Sequence, residues 1–212
     1  MSSKFVLKRG LKNIYAAEVT QDDDEAFTTG TPFKLIPAGE LQVEVDSEVT
    51  PFYFDDTVFD QIGREGNSTV TITGAGLRAA MIANLTGKDV DETTGVVLDD
   101  GLFKSKNFAL AGQKENTDGT YELFWFAKGT FKTPKENQKT KDDSTDAQGT
   151  ELEYSAVPTV HEFTNGKVHK RSIMDSSTTK VKDNADWFAQ VVTPDNLSTV
   201  CEAIPAQNEV TP

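Results

Sequence analysis

Three segments of this chain alternate between apolar and polar residues with a period of two, and no other feature constrains its fold as tightly. Leu41, Val43 and Val45 are interleaved with Gln42, Glu44 and Asp46. Val70 and Ile72 are interleaved with Thr69, Thr71 and Thr73, and Leu152, Tyr154 and Ala156 with Glu151, Glu153 and Ser155. Side chains of a strand point alternately to its two faces, so each segment reads as a strand with one apolar and one polar face. Elsewhere apolar residues come in short runs punctuated by 15 glycines, which favours many strands and turns over long helices.

The first two alternating segments bracket an unusual connection, Thr50-Pro51-Phe52-Tyr53-Phe54-Asp55-Asp56-Thr57-Val58-Phe59. Four large aromatics and two adjacent aspartates make a poor solvent loop. They suit a docking arm, because aromatics supply binding area while the acids keep the free chain soluble. Pro51, Phe52, Tyr53, Phe54, Asp55, Asp56 and Phe59 are therefore the candidate subunit-contact residues.

Further elements follow from local signals. Residues 33–36 read as a strand bent from the next at Pro37-Ala38-Gly39, and residues 63–67 as a turn. A helix is expected over 75–84, with Leu77, Met81 and Leu85 in one stripe and Gly87 placed to stop it. Residues 108–113 and 121–126 form a hairpin around Asn116-Thr117-Asp118-Gly119. Residues 133–149 read as a long polar loop. Residues 160–163 and 168–173 flank Asn165-Gly166, a strong hairpin signal. A second helix is expected from Asp183 or Asn184 through Trp187, Phe188, Val191 and Val192 to the stop at Thr193-Pro194, and about 198–212 form a weakly patterned tail. The expectation is one domain over 1–212, mainly β, a β-sandwich or rolled antiparallel barrel with one or two short flanking helices.

Charge narrows the function classes. A net charge of −13 opposes general nucleic-acid binding, which needs a basic footprint, and adsorption to anionic membranes. The single Cys201 allows no intrachain disulfide. Met-Ser-Ser-Lys lacks the apolar core of a signal peptide and no run suits a bilayer-spanning helix, so a protein made in a reducing cytoplasm, without membrane insertion, is expected. The sequons at Asn67, Asn84 and Asn196 then carry no meaning.

Nothing nominates an enzyme. His161 and His169 are the only histidines, and Glu162 would face away from His161 on a strand. Gly74-Ala75-Gly76 lacks the third glycine of a dinucleotide loop, and there is no Walker loop or G-x-S-x-G. The acid runs 22–24, 99–100 and 142–143 lack the spacing of a calcium loop and read as solvated turns. No catalytic residue, metal site or cofactor is expected.

Several segments, in order over roughly residues 1–195, resemble the major tail tube proteins of long, flexible-tailed bacteriophages, in particular those of Gram-positive hosts. They are Gln42-Val43-Glu44-Val45, Pro51-Phe52-Tyr53-Phe54-Asp55-Asp56, Gly66-Asn67-Ser68-Thr69-Val70-Thr71-Ile72 and the helix closing on Leu85-Thr86-Gly87. Asn107-Phe108-Ala109-Leu110-Ala111, 118–126, Lys128-Gly129-Thr130-Phe131 and Glu151-Leu152-Glu153-Tyr154 continue the series. Phe54 departs from it, since many relatives carry a small residue there. The resemblance implies a virion protein, assembled in the host cytoplasm into stacked hexameric rings around a tape-measure protein. Such a tube is bounded by tail terminator and tail-tip or baseplate proteins and conducts DNA without specific binding. Gln42, Glu44, Asp46, Thr69, Thr71, Thr73, Glu151 and Glu153 are then candidate lumen-facing polar ribbons, repelling phosphate; facing solvent they would be ordinary polar faces. A virion β-sandwich module binding carbohydrate or a receptor is the alternative, with exposed aromatics on a concave face as its signature. An enzyme using the scattered acids is a third, signalled by paired carboxylates in one cleft.

Overall fold

The structure, a computed structural model, describes residues 5–102, 104–134 and 149–204. It is mainly β, with 54% strand, so strands carry the core. The chain runs through β1 (Lys8–Asp22), β2 (Phe27–Thr29), β3 (Phe33–Ile36), β4 (Ala38–Phe54), β5 (Thr57–Gly74) and α1 (Ala79–Thr86). It continues through β6 (Asp89–Val90), β7 (Val97–Leu98), β8 (Phe108–Asn116), β9 (Tyr121–Phe131) and β10 (Thr150–Val157). Last come β11 (Arg171–Asp175), β12 (Thr179–Val181), α2 (Leu197–Val200) and β13 (Cys201–Ala203).

Nine strands form one antiparallel sheet in the order β2-β1-β8-β9-β10-β5-β4, with β3 also on β1 and β11 also on β9. β6–β7 and β12–β13 are separate two-stranded pairs. Pro37 links β3, which pairs with β1, to β4, which pairs with β5, so one bent stretch of chain joins both ends of the strand order. Among the described residues the ladder does not close into a barrel.

β8 and β9 are buried on both faces, which is why they read as apolar runs rather than alternating ones. Phe108, Leu110, Phe124 and Phe126 point into a first core with Ile14, Val70, Ile72, Leu152 and Tyr154. Ala109, Ala111, Leu123 and Trp125 point into a second, closed by Met174, Trp187, Val191, Val192 and Val200. The Trp125 indole N–H donates to the Trp187 carbonyl at 2.9 Å, tying the C-terminal segment down. In the first core the Tyr154 hydroxyl donates to the Phe108 carbonyl at 2.7 Å. Gly129 makes room for that ring, since a Cβ there would lie 2.4 Å from Tyr154 Cζ and from the Ser155 carbonyl.

Several local expectations are corrected. The first helix begins at residue 79, not 75, because the Ala75 N–H donates to the Pro37 carbonyl and the Leu77 N–H to Thr150 Oγ1. Gly87 does end it, in the left-handed conformation at φ 70°. Residues 63–67 are not a turn but lie within β5, where an extra residue forms a bulge against Val45 and Ser47.

Residues 183–192 form turns rather than a helix. Their polar groups bond elsewhere: the Phe188 N–H donates to Asp186, and the Asn196 amide donates to the Val191 carbonyl. The helical turn lies instead at Leu197–Val200, at the start of what reads from sequence as a weakly patterned tail, and β13 follows. Asn165-Gly166 is a turn, with Gly166 at φ 68°, but 160–163 are not a strand because Asp22 takes the amides of Val160 and His161. Asp22 itself is not a solvated turn residue; its carboxylate is 4% exposed. Of the polar loop at 133–149, residues 135–148 lie outside the described residues.

Candidate functional site

The aromatic–acidic segment is the tip of a long two-stranded ribbon. β4 and β5 stay paired from Ala38↔Gly74 out to Phe54↔Thr57. Asp55 and Asp56 form the connection with φ of 48° and 60°, the positive values that a two-residue type I′ hairpin requires at both positions. Aspartate tolerates this conformation better than most residues, which accounts for the adjacent pair.

Every residue from 44 to 65 is exposed, on both faces of the ribbon. From Val45 to Phe54 that is an arm of about 30 Å at the usual rise per residue. Val45, Val49, Phe52, Tyr53, Phe54, Val58, Phe59 and Ile62 all stand in solvent on it, Phe59 at 75% exposure. Phe54 and Phe59 touch edge to face across the tip, with centroids 5.2 Å apart. At the root, Lys170 Nζ braces the ribbon by donating to Glu65 Oε1 at 2.8 Å and to the Gly66 carbonyl at 2.9 Å.

The three polar ribbons, far apart in sequence, become one surface. Register places Glu40, Thr73 and Glu151 in one row across β4, β5 and β10. Gln42, Thr71 and Glu153 form the next, and Glu44, Thr69 and Ser155 the third. Lys132 pairs with Glu153 on this face. Asp46 extends it towards the arm, packed against Gly66. The reverse side carries Leu41, Ile72 and Leu152, then Val43, Val70 and Tyr154, facing the first core. Alternation predicts two faces per strand; only the pairing register puts all the carboxylates and threonines on the same one.

No family model matches this chain, and no curated protein matches it.

Sequence reading overlooked two ionic features that no local pattern signals. Asp22 Oδ2 accepts from Lys128 Nζ at 2.5 Å, while its carboxylate also receives the backbone amides of Val160 and His161 at 3.0 Å. Burial alone would raise the Asp22 pKa, but the His161 amide, the Lys128 ammonium and the Val160 amide outweigh it and hold the carboxyl below its usual value. The second feature is Lys114 with Arg171, half-buried over the rings of Phe124 and Phe126.

The histidines show no catalytic arrangement. His161 Nδ1 lies 3.2 Å from the Asp23 carbonyl, and His169 Nε2 2.8 Å from Ser172 Oγ. A cleft of about 490 Å³ lies beside His161, between Phe27, Phe163, Gln190 and Asp195. The Asp195 carboxylate in it is engaged by the N–H and hydroxyl of Thr164. Among the described residues no group of three His, Cys, Asp or Glu side chains is arranged to hold a metal. Both tryptophans are buried in the second core.

Proposed function

We propose that this chain is a structural subunit of a bacteriophage tail tube, self-assembling through the arm into stacked rings, hexameric as in the family it resembles. The observation that carries the reading is the projecting ribbon with its solvent-exposed aromatic tip. A two-stranded ribbon with neither face covered is marginal in water on its own, and its apolar side chains gain most from burial against another copy. The sheet also has an open edge along β4, and pairing between copies would cover it. A contact between an arm and a different surface of the next copy is heterologous, and where its rotation does not close it propagates and stacks rings into a filament.

In this reading the joint Glu, Gln and Thr face lines the lumen, with the tape-measure protein and later DNA as its transient occupants. Its carboxylates repel phosphate and its small hydroxyls give no base-stacking surface. Tail terminator and tail-tip or baseplate proteins bound the tube, and the protein resides in the virion tail after assembly in the host cytoplasm. No catalysis and no cofactor enter.

The test is electron microscopy of the concentrated protein, alone and with lysate containing the neighbouring tail proteins. Hollow tubes of stacked rings are expected from the wild type and none from the Phe52→Ser, Phe54→Ser double variant. Tubes formed equally by the variant would remove the arm from the contact. Monomers alone, under both conditions, would overturn the tube reading in favour of a virion binding module.

A further inference from the structure

The fold gathers two cations at one end of the first core, and among the described residues neither has a carboxylate within ion-pair distance. Lys114 on β8 and Arg171 on β11 flank the β9 residues Phe124 and Phe126. Lys114 Nζ lies 5.4 Å from the Phe124 ring centroid. Arg171 Cζ lies 5.4 Å from the same centroid and 4.7 Å from that of Phe126. Both side chains are half-buried, and Arg171 Nε is buried with no hydrogen-bond partner among the described residues.

The acids of this neighbourhood are engaged elsewhere. Glu122, opposite Lys114 across the β8–β9 ladder, pairs with Lys8. Asp175, opposite Glu122 on β11, accepts the Ser177 amide at 2.8 Å. Among the described residues no carboxylate stands within ion-pair distance of Lys114 or Arg171. Burial first, and then the charge of Arg171, hold the Lys114 pKa below that of an ordinary lysine, and the more distant Glu122 carboxylate offsets this only in part. Burial likewise lowers that of Arg171.

Two like charges kept partly out of water are unfavourable, and the ring faces offset this only in part. An orphaned guanidinium nitrogen adds the loss of an unmade hydrogen bond. A bound oxyanion relieves the mutual repulsion and offers acceptors to the guanidinium fork and the ammonium together. In a chain of net charge −13, a cationic pair with no direct ion-pair partner among the described residues is also a local exception. We propose that Lys114 and Arg171, seated on Phe124 and Phe126, form a binding site for an oxyanion of the carboxylate or phosphate type. A free inorganic ion and an acidic side chain of a second copy offer the same chemistry.

The proposal is tested by nuclear magnetic resonance on the isotopically labelled full chain. Sodium phosphate and, separately, sodium acetate are titrated in at constant ionic strength held with sodium chloride. The expected result is a saturable shift of the Arg171 Nε–H and Lys114 side-chain resonances, with Lys114→Gln weakening apparent affinity by about tenfold. Arg171→Lys, which keeps the charge but not the fork, is expected to weaken it as well. Should Arg171→Lys fail to fold, Lys114→Gln alone decides. Linear shifts no larger than those given by chloride would overturn the site, as would saturable binding unchanged in Lys114→Gln. Repeating the titration on associated protein identifies the source. Loss of the phosphate response there assigns the site to a neighbouring copy's carboxylate, and persistence assigns it to a free ion.

Discussion

At the scale of single residues, two polar anchors hold loops that sequence patterning alone leaves unassigned. Asp22 draws residues 160–161 onto the end of β1 while neutralising Lys128. Asp22→Asn keeps an acceptor but strands the lysine, so unfolding free energy in urea is expected to fall by about 1–3 kcal/mol. Because the folded-state pKa of Asp22 is depressed, its contribution is fully present above the unfolded carboxylate range. It is lost as pH falls through the folded value. The wild type should therefore lose stability relative to Asp22→Asn below about pH 4, and the two urea midpoints should converge in acid. Gly129→Ala is expected to be more damaging, by about 3 kcal/mol or more, because its Cβ would displace the Tyr154 ring and the β10 backbone. Thermal unfolding of the purified variant checks it.

At the scale of elements, the arm and the body are separable in stability. Phe52, Phe54 and Phe59 touch no core residue, so replacing all three with Ser should leave the urea unfolding midpoint of the body within about 0.5 kcal/mol of wild type. The same variant should show no concentration-dependent association by sedimentation. Loss of body stability instead would mean that the arm folds back on its own chain. The turn has its own prediction. Asp55→Asn with Asp56→Gly supplies the residues that favour a type I′ turn, so hydrogen exchange at the tip amides should slow. The segment 183–192 behaves oppositely to the arm: Trp187, Val191 and Val192 pack with Trp125 and Leu123 in the second core from turns, without regular secondary structure of their own.

At the scale of the whole molecule, charge sets the conditions for association. Copies of net charge −13 repel one another, and the Debye length of about 10 Å at 0.1 M salt leaves that repulsion partly unscreened at low ionic strength. Association through the apolar arm should therefore speed up as sodium chloride is raised, as followed by light scattering. Slowing with salt would point instead to an interface dominated by ion pairs. The two cores share β8 and β9, so damage to either face of those strands should be felt as one cooperative unfolding transition.

Local sequence was enough to show which segments are strands with one polar face, and where the helix stops at Gly87 and the hairpin turns at Gly119. Those properties are local: they follow from the two-residue period of a strand and from the positive φ that glycine and aspartate accommodate. That Gln42, Thr71 and Glu153 share a row came from long-range pairing, because strand register depends on partners 29 or more positions away and not on any residue's neighbours. Tertiary contacts likewise decided that 183–192 forgo a helix despite helical spacing of their apolar residues, since Trp125 and Asn196 claim backbone carbonyls that a helix would use. The aromatic segment was legible as exposed and sticky from its composition. That it stands out as a ribbon with both faces bare was decided by β10 and β4, which cover β5 to Ser68 on one side and to its tip on the other.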